Sequence, residues 1–491
     1  MRDLNKKNII FLCCILGLIF RVVICFFYRG GWRPDEIFQN LEPAHHLLTG
    51  HGVVTWEWQA GVRNWVLPGA IAGIWEITRA MGLGLPVVAV KLVFAVLSVS
   101  IIVVFATLGG MLYGRAGAWT CGVMAALWPD LLIGADRTAG EFQAGNTMGL
   151  AIGLAMIGRQ LQLQGRDNLK PYLGCAAFLG LTVVLRFQLA PAVALSMLWV
   201  LFWLPTWRDR IAIALTSLLP VLALGIVDGM TWGGFYPSIV NNFYVNIFKS
   251  VSKNYGVMPF YYYVESIISF WQFAFLAFVF LFVKGMKRAW MPAVIGTVII
   301  FYHSLIAHKE TSFIYAAMPP LVLVASLGLS SILEKLQPKA FAAAIAVVAM
   351  CCCMAASPFK QHMNMVSRIP ALLYKVSRQE DSCGVAVLVG SDEWGDTGGY
   401  SQFTKRDIPL YFYYDKADIQ NASHQYNYVV SYRTYRLIGD ALHAVACKGY
   451  YCLYKTAQTC SGAPDYSQFE KMVTRAENQR VSGQDPWLVK P

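Results

Sequence analysis

Residues 8–28 read NIIFLCCILGLIFRVVICFFY, and residues 29–36 continue RGGWRPDE. The first stretch carries one charge, Arg21, and is long enough to cross a bilayer, which takes about 20 mostly apolar residues. A secretory signal is the competing reading, because Arg2, Lys6 and Lys7 precede the run. The run is long for a signal and no small-residue cleavage site follows before Arg29, so a retained anchor is expected. Working outward, similar runs recur at 87–113, 117–134, 141–158, 171–187, 189–204, 211–228, 264–283, 289–306, 311–333 and 341–357. The expectation is an all-α polytopic membrane protein with about 11 transmembrane helices.

Composition agrees: of 491 residues, 56% are hydrophobic and only 14% charged. A soluble domain carries roughly a quarter charged residues, so an ordinary cytosolic enzyme, a disordered chain and a coiled coil are excluded. The net charge of +12 suggests nucleic acid at first sight, but its placement says otherwise. With the N-terminus inside, Arg115, Arg159, Arg166, Lys170, Arg208, Arg210, Lys284, Lys287, Arg288, Lys335 and Lys339 all fall in short inner loops. That bias sets membrane orientation, and no nucleic-acid partner is implied. Segments 29–86, 135–140, 229–263 and 307–310 then lie outside, as does the C-terminal part.

Residues 1–357 thus form the membrane domain, with 29–86 as its first outer loop. Residues 358–491 lose the long apolar runs and mix charges of both signs. Short apolar stretches at Val385–Val389, Tyr428–Ser431 and Gly449–Tyr454 predict strands, and Arg436–Val445 predicts a helix between the last two. This is a small soluble extracytoplasmic α/β domain. Cys383, Cys447, Cys452 and Cys460 lie in it, where an oxidising compartment permits disulfides in any of three pairings. The other eight cysteines sit in apolar runs and behave as small hydrophobes. Asn421-Ala422-Ser423 is a formal glycosylation sequon, a cheap match.

Polar residues gather in three clusters, all on the outer face, where function in a membrane protein is best sought. The first is Arg33-Pro34-Asp35-Glu36 with Gln39, Glu42, His45 and His46, continuing to Thr55-Trp56-Glu57-Trp58 and Arg63. Pro34 suits the first position of a helix, with Asp35 and Glu36 in its favourable first turn. Asp35, Gln39 and Glu42 would share a face at i, i+4, i+7, and the Trp-rich remainder suits an interfacial helix. The plain alternative is that the two acids only cap and solvate that helix. The second cluster, 228–263, combines Asp228, Phe235-Tyr236, Asn241, Asn242, Asn246, Tyr255-Gly256 and Pro259. Its aromatics fit an interfacial belt, whereas its asparagines suit hydrogen bonding to a sugar. The third is Tyr302-His303 with His308-Lys309-Glu310 and Phe313-Ile314-Tyr315, where Lys309 suits a phosphate. A solvated hairpin is its plain reading. Arg137 offers a second cation or anchors a helix end.

In this order the clusters resemble glycosyltransferase family 22, the multispan mannosyltransferases that use lipid-phosphate mannose. They are most similar to its glycosylphosphatidylinositol (GPI) mannosyltransferase III branch. The resemblance runs over roughly residues 8–335 and rests on Pro34-Asp35-Glu36, Thr55–Trp58, Asn246, Tyr255-Gly256 and His308-Lys309-Glu310. Two positions depart from the family: Arg33 stands for a histidine and Ser312 for an arginine. The resemblance implies a fold of GT-C type and transfer of mannose, with inversion, from a polyprenyl or dolichyl phosphate to a glycan, itself lipid-linked. Asp35 is then the general base with Glu36 beside it. Gln39, Glu42, His45, Trp56, Glu57, Arg63, Asn246, Tyr255, His308, Lys309 and Glu310 contact substrates. No metal or other cofactor is expected, because a single phosphate leaves and no Asp-x-Asp lies beside the site. The rival classes are a transporter or flippase of lipid-linked sugars, which would place charges near the midplane in repeats, and a GT-C transferase of another sugar. The soluble outer domain points to a bacterial inner membrane, with the endoplasmic reticulum as the other compartment.

Overall fold

The computed structural model describes residues 4–28, 30–31, 33–390, 393–433 and 443–481. Every expected apolar run is helical. Lys6–Phe27, Val87–Leu127, Trp207–Trp232, Thr311–Leu333 and Pro338–Val366 are long and apolar enough to cross a membrane. Tyr262–Trp271 and Ala274–Met286 form a sixth span if joined, bent by 110°. Leu169–Leu185, Phe187–Trp203 and Trp290–Leu305 are shorter apolar helices. The expected breaks between runs 87–113 and 117–134 appear as Tyr113 (φ −131°) and Gly114 (φ 59°, ψ −141°), which reverse the long helix sharply. Only glycine takes that backbone without strain.

The chain divides into two compact bodies. The first comprises residues up to 24, 92–236 and 255–360 and is wholly helical. Helix Gly140–Leu163 is buried along most of its length. Gly145, Gly149 and Gly153 recur every fourth residue. A Cβ on them would stand 2.4 Å from Tyr315, 2.5 Å from Pro319 and 2.3 Å from Val104. Between apolar helices in lipid, such small residues permit the close approach that holds the bundle together. Arg21, the charge inside the first span, is fully buried yet satisfied. It donates to Ser98 Oγ (2.9 Å) and to the carbonyls of Gly17, Ala125 and Ala126 (3.0–3.2 Å).

The second body joins the first outer loop to the C-terminal region: residues 25–91, 237–254 and 361–491. Its sheet comprises β1 (Val385–Leu388), β2 (Leu410–Tyr413), β3 (Tyr428–Tyr432), β4 (His443–Lys448) and β5 (Tyr451–Lys455), in the order β2-β1-β3-β5-β4. Strand β1 runs parallel to β2 and β3, while β5 is antiparallel to β3 and β4. The three expected strands are therefore present, and two more join them. The expected helix at Arg436–Val445 fails at its end, because His443–Val445 belong to β4; residues 434–442 lie outside the described residues. The alternating Ala-Val-Ala of β4 has helical propensity, but hairpin pairing with β5 overrides it. The four outer cysteines pair as Cys383–Cys460 and Cys447–Cys452, the latter across that hairpin.

Cys383–Cys460 closes a loop of 77 residues. Replacing both by Ser is expected to destabilise the C-terminal domain by about 2–4 kcal/mol, read as a lower melting temperature. An unchanged melt contradicts the pairing.

Candidate functional site

The Asp35 segment starts at Arg33, whose extended backbone precedes Pro34 at the first helical position, as expected. Helix Pro34–Glu36 then widens into a π-turn at Ile37–Leu41 before helix Glu42–Thr49. An i→i+5 turn breaks the i, i+4, i+7 spacing, so Asp35, Gln39 and Glu42 do not share one face. Asp35 is half-buried, whereas Glu36, Gln39 and Glu42 are buried. Single-turn π segments concentrate at functional sites because the inserted residue re-aims its neighbours.

Glu42 is fully buried. Its carboxylate accepts the backbone N–H of Val53 (3.0 Å) and of Ser401 (2.7 Å). Burial pushes its carboxyl up, while His45 and the N–H donors pull it back. His45 is equally buried; its Nδ1–H donates to the His51 carbonyl (2.7 Å), and Nε2 faces Asp407 Oδ1 at 3.1 Å. Burial alone would lower this imidazole, but Asp407 and Glu42 raise it above its usual value. A carbonyl at one ring nitrogen and a carboxylate facing the other both favour the protonated ring. Both residues, expected to touch substrate, have their polar atoms taken up inside the protein.

The asparagines of the second cluster brace backbone as well. Asn241 Nδ2 donates to the carbonyls of Ala60 and Gly61 (3.2 and 3.3 Å), and Asn242 Nδ2 to that of Val62 (3.2 Å). Asn246 Nδ2 donates to Asn242 Oδ1 at 2.8 Å. Trp56 and Trp58 turn inward and do not lie along a surface. Glu57 and Arg63 remain half-buried and pair at 2.5 Å.

The first body holds the third cluster. His308 Nδ1 bonds the Gly256 carbonyl (3.0 Å), its Nε2 lies 3.5 Å from Glu310, and its ring lies 6.1 Å from that of Tyr255. Lys309 is buried and donates to the carbonyls of Met258 (2.9 Å) and Ile306, two of its three N–H groups. Arg137 is fully buried and its guanidinium is locked onto Asp136 at 2.7–2.9 Å, which neutralises it. A further cation escaped the sequence reading. Arg186 pairs with Glu141 and lies 4.7 Å above the Phe313 ring. Its Nε, the Tyr302 hydroxyl and His303 Nε2 are buried without a hydrogen-bond partner. The signal was there: an arginine near the end of the apolar run 171–187 is costly unless it is paired or functional. Among the described residues no three His, Cys, Asp or Glu are grouped to hold a metal ion.

Comparison with known proteins converges. The family described as "Alg9-like mannosyltransferase family" matches residues 9–391. Mannosyltransferase APTG1 of Arabidopsis thaliana is 26% identical over 323 residues, covering 63% of this chain and 56% of that protein. GPI mannosyltransferase 3 of Yarrowia lipolytica is 26% identical over 337 residues, covering 65% and 62%. The chain thus spans less than two thirds of the length of these relatives. ArnT from Cupriavidus metallidurans, solved bound to undecaprenyl phosphate, superposes with a TM-score of 0.58 at 13% identity, over 92% of this chain and 99% of that one. The fold is therefore of GT-C type, in a multi-pass membrane protein.

The His45–Asp407 pair predicts a pH dependence. A histidine raised on folding stabilises fully below its unfolded value of about 6.5, and that stabilisation is lost as pH rises through the folded value. Glu42, also raised, acts with the same sign. The melting temperature should fall as pH rises above about 6.5, and Asp407→Asn should flatten that slope. An equal slope in both proteins contradicts the pairing.

Proposed function

The chain belongs to the Alg9-like mannosyltransferase family, and on that premise we propose that it is an inverting mannosyltransferase. It moves mannose from a polyprenyl or dolichyl phosphate to a hydroxyl of a lipid-linked glycan of the GPI kind. The observation that carries this reading is Pro34-Asp35-Glu36 at a helix start, with Asp35 the one carboxylate of Asp35, Glu36 and Glu42 that is not buried.

Inversion needs one displacement. The acceptor oxygen attacks the anomeric carbon, Asp35 takes the hydroxyl proton, and the bond to the phosphate oxygen breaks with its electron pair leaving on the phosphate. Glu36 supports the Asp35 turn. The leaving phosphate needs positive charge. Lys309 has one N–H left for it, His308 lies next along the chain, and Arg186 supplies the guanidinium beside Phe313, next to Ser312 where the family usually has arginine. Glu57, Arg63, Tyr255 and Glu310 remain candidate substrate contacts, with Gln39 and Trp56 as buried walls. Glu42, His45 and Asn246 are assigned as braces, since their polar atoms are engaged. The disulfides of the C-terminal domain support an oxidising compartment on that side, which we read as the periplasmic face of a bacterial inner membrane.

The test is purified protein with polyprenyl-phosphate mannose, extracted membrane glycolipids as acceptor, and mass spectrometry of the product. Asp35→Asn should lose roughly 10²- to 10⁴-fold in kcat while remaining folded. Near-normal turnover refutes its role. Lys309→Ala and Arg186→Ala should each raise the donor KM about tenfold or more, as expected for loss of a charge-assisted contact to phosphate. A donor KM unchanged in both removes the phosphate assignment.

A further inference from the structure

We propose that the C-terminal domain positions Asp35, so that the loop Glu393–Gln402 belongs to the machinery of transfer although no atom of it need touch substrate. The inference rests on Asp35 being the base.

Contacts bracket Asp35 along the chain. Before it, the Gly30 N–H donates to Ser367 Oγ at 3.1 Å. Pro34 lies against Gly395 so closely that a Cβ there would stand 2.8 Å from Pro34 Cγ. After it, the Phe38 ring meets Trp394 edge-on at 5.1 Å and Phe469 at 6.4 Å. Glu42 then receives the Ser401 N–H at 2.7 Å, and at Gly399 (φ +64°) a Cβ would fall 2.4 Å from the Glu42 carboxyl carbon. His45 closes the series on Asp407. Between Asp35 and Glu42 runs the π-turn Ile37–Leu41, a backbone form that is rare and held by its surroundings. A turn of that kind, fixed at both ends by one domain, passes any movement of the domain to Asp35. Positioning errors of about 1 Å cost on the order of 10²-fold in rate.

Gly395→Ala is the cleanest probe. Its backbone is not in the left-handed region, and within 4 Å the added methyl meets Pro34 alone. The expected result is a kcat at least tenfold lower with polyprenyl-phosphate mannose, an unchanged donor KM and an unchanged melting temperature. Pro34→Ala, which removes the crowded Cγ, should restore most of the loss in the double variant. Glu42→Gln is the second probe: it keeps the volume but replaces one of the two accepting oxygens by an NH2 group, set against the N–H of either Val53 or Ser401. The same split of kcat from KM is expected. Wild-type kcat in folded Gly395→Ala and Glu42→Gln, with Asp35→Asn inactive, overturns the positioning role alone. An active Asp35→Asn overturns the reading on which it rests. A fall in kcat that the double variant does not relieve assigns the effect to general damage and also overturns it.

Discussion

A single carboxylate, that of Glu42, organises the second body. Buried beyond the reach of solvent, it accepts backbone N–H groups from Val53 of its own loop and Ser401 of the C-terminal domain. Hydrogen bonds to a charged acceptor contribute about 1.5–3 kcal/mol each, and stranding the carboxylate would cost more than that. The nearby His45, whose Nε2 faces Asp407 at 3.1 Å, favours the charged form of Glu42. Two segments more than 350 residues apart in sequence are thereby made one structure, and Asp35 stands seven residues upstream of the joint.

The first body handles its few charges by the same rule. Arg21 is wrapped in carbonyls, Arg137 is neutralised by Asp136, and Arg186 is paired with Glu141. Buried charge in an apolar bundle is costly unless it is paired or hydrogen-bonded. Against that background Arg186 Nε, the Tyr302 hydroxyl and His303 Nε2 are notable as buried polar atoms without a hydrogen-bond partner close to the third cluster. Scarcity of charge makes the exceptions informative.

Much of this was legible in the sequence. The apolar runs gave the helices, since 20 residues without charge have few other fates. Pro34 marked its helix start, and the four outer cysteines marked the disulfides. What escaped depends on partners distant in sequence. Glu42 and His45 look like site residues until Ser401 and Asp407 are brought to them. Asn241, Asn242 and Asn246 look like sugar ligands until the turn at residues 60–62 arrives. Strand β4 follows from its pairing with β5 and not from its own composition. The π-turn has no signature in a single sequence, because it is imposed by contacts on either side.

Hydrogen exchange tests the Glu42 joint most directly. In Glu42→Gln, protection should fall together in residues 34–49 and in residues 393–402, as two halves of one cooperative unit. Loss confined to one segment, with the other exchanging as in the wild type, would contradict it.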